Sequence, residues 1–433
     1  MCLTEPQAGS SLAPVRTKAI RDGDHFKIKG TKIFISWGEH DLTDNIIHLV
    51  LARMENAPAG VKGISLFVVP KIRVRDDGSL GEPNDVLCAG VEHKLGIHGS
   101  PTCVLNFGDN DNCIGYLCGE ENKGLAHMFQ MMNSARINVG VAGIGIASTA
   151  YLNALAYTKE RIQGPDLARR KPGEVPIIDH PDVRRMLLWM KATVDGMRSM
   201  AYAVGYWMDV ARASENEEER RSCQALVEFM TPIVKAYCTD MCFRVCETAI
   251  QCLGGYGFTR EYPFEQYLRD SKIMSLYEGT NGIQSMDLLG RKLVMNGGEP
   301  FNAFLAELQS FCAAHADHPT LGGYVQSLSR VVAGLSETAK RMRKAMEANL
   351  LQWAASTYPA LLCFGDAIMI WRLLDMARIA QKRLDNEDKT DFYMGKVLQA
   401  TYFTDITIPS LLGRLETAGR PVREVVDIPE GAF

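Results

Sequence analysis

The sequence predicts an α+β chain that is mostly α: a small β-barrel domain over residues 1–115, a four-helix bundle over 116–295 and an additional C-terminal helical region over 296–433. Three observations predict this. Up to Asn112 the chain is a series of short β-branched or aromatic runs separated by Gly, Asp, Asn and Pro. After Gly119-Glu120-Glu121-Asn122-Lys123-Gly124 the apolar period becomes that of a helix and stays so. Asn296-Gly297-Gly298-Glu299-Pro300 then interrupts the helical pattern as a linker candidate.

In order, residues 26–30, 32–36, 46–52, 64–69 and 103–107 read as strands of a barrel or sandwich. Residues 125–163, 181–214, 223–253 and 263–294 read as four long helices, enough for a bundle. Beyond the linker, 301–314, 324–350, 360–384 and 392–415 read as a second amphipathic set without a chemical constellation. Trp353 and Trp371 in that set read as core residues, with interface anchors as the alternative.

Composition narrows the class. The chain has 433 residues, 46% of them hydrophobic, which suggests two or three domains with sizeable cores. A net charge of -4 with interspersed signs gives no basic field for nucleic acid. The twelve cysteines show no paired secretory spacing, and no charged-then-apolar signal segment opens the chain, so a reducing, cytoplasmic setting is expected. Cys238, Cys242 and Cys246 share a helix face, but no histidine completes a metal site, and they read as small buried apolar residues. The apolar run 137–150, rich in Gly and Ala, is too short to span a bilayer and reads as a close-packed internal helix, with no stable membrane insertion.

The most informative stretch is Tyr277-Glu278-Gly279-Thr280-Asn281-Gly282-Ile283-Gln284. Gly279 and Gly282 loosen the backbone after a helical segment, and Thr280 is positioned to N-cap the helix that follows. A carboxylate held at that junction beside Leu276 and Tyr277, away from bulk water, is expected to have its pKa raised toward the range of a general base. An exposed loop glutamate is the ordinary alternative.

Two further motifs accompany it: Gln251-Cys252-Leu253-Gly254-Gly255-Tyr256-Gly257-Phe258, and Thr4-Glu5-Pro6-Gln7-Ala8-Gly9-Ser10 near the start. Together they resemble the acyl-CoA dehydrogenase family, with its Q-x-x-G-G-x-G-F and T-E-P-x-x-G-S forms. Lys32-Ile33-Phe34-Ile35-Ser36 is similar to the family's K-x-W-I-T/S strand. The resemblance runs from residue 1 to about 295. The tail resembles the extra helical region of the long bacterial branch, which includes enzymes similar to 3-methylmercaptopropionyl-CoA dehydrogenase.

The resemblance implies FAD, held between the β-domain and the bundle. Leu3, Thr4, Gly9 and Ser10 match positions that meet the isoalloxazine ring. Phe34 stands where the family usually has Trp, to cover one flavin face, and Ser36 takes the hydroxyl position near N5. Arg161 matches the arginine that reaches the FAD pyrophosphate from a neighbouring subunit, a role suited to a guanidinium fork. Gln251, Gly254 and Gly255 match the segment approaching the same dinucleotide; without that context the glycines would read as a helix C-cap. Thr280 and Asn281 correspond to further FAD contacts. Gly164 departs from a frequent aromatic, and Gly282 from a frequent Gln. Asn133 and Arg136 fall where the family meets CoA, although a lone helical arginine usually faces solvent, and Ser10 and Gly279 are further substrate positions.

The implied reaction is α,β-dehydrogenation of an acyl-CoA: Glu278 takes the α-proton as a hydride leaves the β-carbon for FAD, and electrons pass to an electron-transfer flavoprotein. A homodimer or homotetramer is implied by the shared cofactor. An acyl-CoA oxidase and a noncatalytic or DNA-associated flavoprotein of the same superfamily are the alternatives; the near-neutral charge speaks against DNA and Glu278 against the noncatalytic form. Family members carry a helical domain before the T-E-P segment. Because Thr4 stands so near Met1, the chain reads as truncated, with weak FAD binding and poor turnover expected of it alone.

Overall fold

The computed structural model describes residues 1–386 and 390–433 and divides into two compact units, Met1–Ala135 and Arg136–Phe433. In the first unit the described residues form β1 (Lys18–Asp22), β2 (His25–Ser36), β3 (Ile47–Met54), β4 (Ile64–Pro70), β5 (Ile72–Val74), β6 (Leu80–Pro83), β7 (Val86–Val91), β8 (Thr102–Phe107) and β9 (Ile114–Leu117). Seven of them make one sheet in the order β1-β3-β4-β9-β2-β8-β7, with β1 pairing β2 as well, and β5 and β6 make a separate hairpin. Phe26, Ile28, Ile35, Val50, Phe67, Val69, Leu105 and Phe107 form its core. Phe26 and Phe67 meet edge to face at 5.0 Å.

The expected runs 26–30 and 32–36 are one twelve-residue strand, β2. Its alternation is not uniform. Phe26, Ile28 and Lys32 point inward, but beyond a register shift between Lys32 and Ile35 the buried residue is Ile35. This bulge puts Phe34 at φ +58° and turns both Phe34 and Ser36 outward.

In the second unit the helical period was the right guide for three of the four long helices. They are α1 (Gly124–Glu160), which begins in the first unit, α2 (Pro181–Ala213) and α3 (Glu217–Leu253). A two-stranded ribbon of β10 (Ile162–Pro165) and β11 (Glu174–Pro176) follows α1. The expected fourth helix, 263–294, is broken. It consists of α4 (Gly255–Phe258) just upstream, α5 (Phe264–Lys272), a 3-10 turn, a loop through Glu278, α6 (Asn281–Met286) and a π-helical turn, Asp287–Lys292. Adjacent left-handed residues at Glu278 and Gly279 prevent helical continuation there.

Asn296, Gly297 and Gly298 all have positive φ and make a tight corner. It leads directly into α7 (Glu299–His315), α8 (Gly322–Ala348), α9 (Leu350–Asp385) and α10 (Asp391–Thr417). These share one core with α2 and α3: Phe304 of α7 stacks on Phe229 of α3 at 4.8 Å, and Phe364 of α9 meets the same ring. Trp353 and Trp371 are buried in that core.

By length and composition α1 is apolar and long enough to cross a membrane, unlike the shorter run expected from the sequence. Ile144, Ala147, Ala150 and Ala154 are buried in the helical core. Close packing explains its glycines, since a Cβ on Gly140 would stand 2.8 Å from the Val234 carbonyl oxygen of α3. Cys238, Cys242 and Cys246 are fully buried on α3, and burial pushes the Cys238 thiol up to about 12.

Candidate active site

Glu278 lies at φ +55° and Gly279 at φ +87°, between a 3-10 turn and helix α6. A carboxylate residue in the left-handed region is uncommon and is kept there only by what surrounds it. Thr280 caps α6 as expected, its hydroxyl accepting from the Ile283 N–H at 3.2 Å. The Gly279 carbonyl accepts from the Lys235 ammonium at 2.7 Å and the Gln284 amide at 3.4 Å. A Cβ on Gly279 would stand 2.5 Å from Gln284 Nε2, so that amide would have to move to admit a side chain.

Leu276 does not seclude Glu278: it is 52% exposed, and Glu278 itself is half-buried. The loop turns Leu276 outward because Leu276 and Tyr277 close back on the Ile273 carbonyl rather than extending α5.

The surroundings of Glu278 are cationic. Arg136, expected on a solvated helix face, is buried and pairs with Asp287 at 3.3 Å. Burial depresses its pKa, against the pull of Asp287. Burial likewise lowers Lys235 to about 8, although Asp240 and Glu278 favour its charge. Asn281 is buried with its amide bonded into α3: Oδ1 accepts from Lys235 at 2.9 Å, and Nδ2 donates to Asp240 at 2.8 Å. Asn133 is half-buried on α1, one turn before Arg136.

Four residues expected at a dinucleotide converge although about ninety positions separate them in the chain. Arg161, Gln251, Gly254 and Gly255 line a cavity of about 520 Å³ together with Tyr157, Gln163 and Tyr256. The Arg161 guanidinium lies 5.7 Å from the Tyr256 ring centre. Helix α3 ends at Gly254, whose φ of +60° and N–H bond to Gln251 make it the cap. Nothing lies within 4 Å of a Cβ placed on Gly254 or Gly255, so bare backbone faces the cavity. Gly164 has φ +71°, a conformation that accounts for glycine in place of an aromatic.

In the first unit the N-terminal segment is tied to β3 and β2. Cys2 bridges Val50, and the Ile33 N–H donates to the Thr4 carbonyl at 2.9 Å. Lys32, fully buried, donates to the Leu3 carbonyl at 3.1 Å and to Glu5 at 2.8 Å. Glu5 also accepts from the Arg16 and Thr17 backbone and the Thr17 hydroxyl. Burial opposes its charge, but Lys32 and these bonds outweigh that and hold the carboxyl at about 2. The result is a fixed platform on which Leu3 and Thr4 are half-buried and Gly9, Ser10, Phe34 (59%) and Ser36 are exposed.

Sequence reasoning named Lys32, Glu5 and Gln284 only within motifs, and did not find Lys235, Asp240 or Tyr358. Lys235 left one signal, a lone charge in the apolar stretch Phe229-Met230-Thr231-Pro232-Ile233-Val234-Lys235-Ala236-Tyr237.

Comparison with known proteins identifies the domains of the chain. Residues 1–110 match the acyl-CoA dehydrogenase middle domain, 122–293 the acyl-CoA dehydrogenase C-terminal domain, and 304–429 the domain described as acetyl-CoA dehydrogenase C-terminal like. The chain belongs to the acyl-CoA dehydrogenase family. It is 42% identical over 412 residues to 3-methylmercaptopropionyl-CoA dehydrogenase of Ruegeria pomeroyi, covering 93% of this chain and 68% of that protein. It is 39% identical over 450 residues to butyryl-CoA dehydrogenase of Syntrophomonas wolfei, covering 100% of this chain and 73% of the relative. The fold matches that of an acyl-CoA dehydrogenase from Bacillus anthracis complexed with FAD, with a TM-score of 0.73 at 20% identity, over 100% of this chain and 70% of that one.

Proposed function

We propose that the protein is an FAD-dependent acyl-CoA dehydrogenase that converts an acyl-CoA thioester to the 2-enoyl-CoA, with Glu278 as the base. The observation that carries this reading is the Glu278–Gly279 pair, held in left-handed backbone by Lys235 and Gln284 amid buried cations. Glu278 takes the α-proton, and the positive potential of Arg136 suits the negative charge that develops on the substrate. Asn133, Arg136, Ser10 and Gly279 are assigned to the substrate.

The cavity residues suit the dinucleotide. Its volume of about 520 Å³ lies within the range of roughly 300–1,000 Å³ usual for small-molecule sites. Arg161 supplies a planar fork for a pyrophosphate, and Gln251, Gly254 and Gly255 supply a side-chain amide and approachable backbone. Leu3, Thr4, Gly9, Ser10, Phe34 and Ser36 are assigned to the isoalloxazine ring, and Thr280 and Asn281 to further cofactor contacts. When bound, FAD supplies the acceptor for the electrons leaving the β-carbon. An electron-transfer flavoprotein is the proposed next acceptor, a homodimer or homotetramer the assembly, and the cytoplasm the location. We read the ring of strand pairings β1-β3-β4-β9-β2-β1 as a small barrel, with the domain limits 1–115, 116–295 and 296–433.

Glu278→Gln tests the reading. It should retain flavin but lose acyl-CoA-dependent bleaching by at least about two orders of magnitude, within the range for a general base. Near-normal bleaching would sink the assignment. Slow reoxidation of the bleached protein in air separates a dehydrogenase from an oxidase.

A further inference from the structure

We infer that Tyr358, Asp240, Asn281 and Lys235 form a polar strut through which helix α9 of the C-terminal region sets the conformation of the loop presenting Glu278. The inference rests on Glu278 acting as the base, and it gives the C-terminal helices a part in catalysis. The strut is continuous. The Tyr358 hydroxyl donates to Asp240 Oδ2 at 2.5 Å, Asp240 Oδ1 accepts from Asn281 Nδ2 at 2.8 Å, and Asn281 Oδ1 accepts from Lys235 Nζ at 2.9 Å. Lys235 then donates at 2.7 Å to the carbonyl of Gly279, the residue that follows Glu278. A second tie runs alongside, between Ser285 of α6 and Thr357 of α9 at 2.9 Å.

Ordinary packing does not account for this chain. Lys235 is fully buried in the most apolar part of α3, where an ammonium is costly unless its donors are used. Its Nζ meets the carbonyl that closes the left-handed pair, and both polar atoms of the Asn281 side chain pass the tie onward. A network with each member bonded is rigid, so a change at α9 is transmitted to the loop. Lys235 and Tyr358 are positioning residues, since neither is assigned to the reacting atoms. Lys235 is faced by Asp240 from its own helix, Arg136 from α1 and Glu278 from the loop, while Lys272 of α5 acts on Asp240 and Arg244 on Tyr358.

The test compares Tyr358→Phe, Lys235→Met and Lys235→Arg in the flavin-loaded protein, using anaerobic flavin reduction by butyryl-CoA and amide hydrogen exchange of residues 276–282. Tyr358→Phe should lower the limiting reduction rate about tenfold with little change in KM, and Lys235→Met about a hundredfold, the cost of a ~1 Å misplacement. Both should speed exchange at 278–281 with flavin content unchanged. With burial holding Lys235 at about 8, the wild-type rate should fall as pH rises through that value, and Lys235→Arg should remove this limb while restoring part of the rate. A wild-type rate and wild-type exchange in Tyr358→Phe overturn the strut, and this variant decides the matter if Lys235→Met fails to fold. If instead Glu278→Gln keeps full activity, the base assignment fails, and loop exchange in Tyr358→Phe alone decides for or against the strut.

Discussion

Each unit of the molecule contains a fully buried lysine that donates to a backbone carbonyl beside a left-handed segment, and the two are partnered differently. In the sheet unit, Lys32 binds the Leu3 carbonyl and has a carboxylate, Glu5, as its direct partner at 2.8 Å, next to the bulge at Phe34. In the helical unit, Lys235 binds the Gly279 carbonyl, and its direct side-chain partner is the neutral amide of Asn281. Lys32 is thereby fixed in a local ion pair that secures a platform. Lys235 is held near the titration range of a working enzyme and connected to two other helices, so its charge can matter to turnover as well as to folding.

Breaking the sheet-side pair should have the largest effect on stability. Lys32→Met leaves Glu5 buried without its countercharge and should cost about 3–5 kcal/mol in denaturant unfolding. A loss below about 1 kcal/mol would show that the pair does not secure the platform. The same pair sets an acid limit. Glu5 is held at about 2 against an ordinary 4.5, so its contribution is fully present above 4.5 and is lost as pH falls toward 2. Thermal melts across that window should show wild-type stability falling, and Lys32→Met should lack this part of the fall.

Arg161 sharpens the contrast, because it is an exposed cation lining a cavity. Arg161→Ala should leave thermal stability of the flavin-free protein unchanged while weakening FAD retention by one to two orders of magnitude, from about 1.5–3 kcal/mol for charge-assisted bonds. Unaltered retention in equilibrium dialysis would remove Arg161 from the cofactor site. If the cofactor is shared between subunits, light scattering of the same variant should show weaker assembly. Gly279→Ala should have a smaller effect on stability, about 1–3 kcal/mol, since it introduces a left-handed side chain 2.5 Å from Gln284. Unchanged denaturation midpoints would mean that the loop relaxes freely.

The broad division into a sheet portion and a helical portion was legible because strand and helix periods differ so clearly on either side of Gly124. Strands β1, β7 and β9 were missed because they are short and polar or half-exposed, with little apolar signal. The parity switch at Phe34 could not be read, since alternation alone does not reveal a bulge. At the site, Thr280 declared itself by its N-cap chemistry and Gly254 by its C-cap chemistry, both local effects. That Arg161 meets the Gln251 segment in one cavity was implied only by resemblance. Lys235, Asp240 and Tyr358 are joined by tertiary hydrogen bonds across more than a hundred positions, for which no local pattern exists.

The most direct measurement of the central claim is the product of a single anaerobic turnover. The flavin-loaded protein is mixed with straight-chain acyl-CoA thioesters of increasing length, and the thioester is analysed by mass spectrometry and NMR. Loss of two hydrogens with a new double bond between the α- and β-carbons is expected, in step with flavin bleaching, and neither in Glu278→Gln. Bleaching without that double bond, or the same product at the same rate from Glu278→Gln, would contradict the claim.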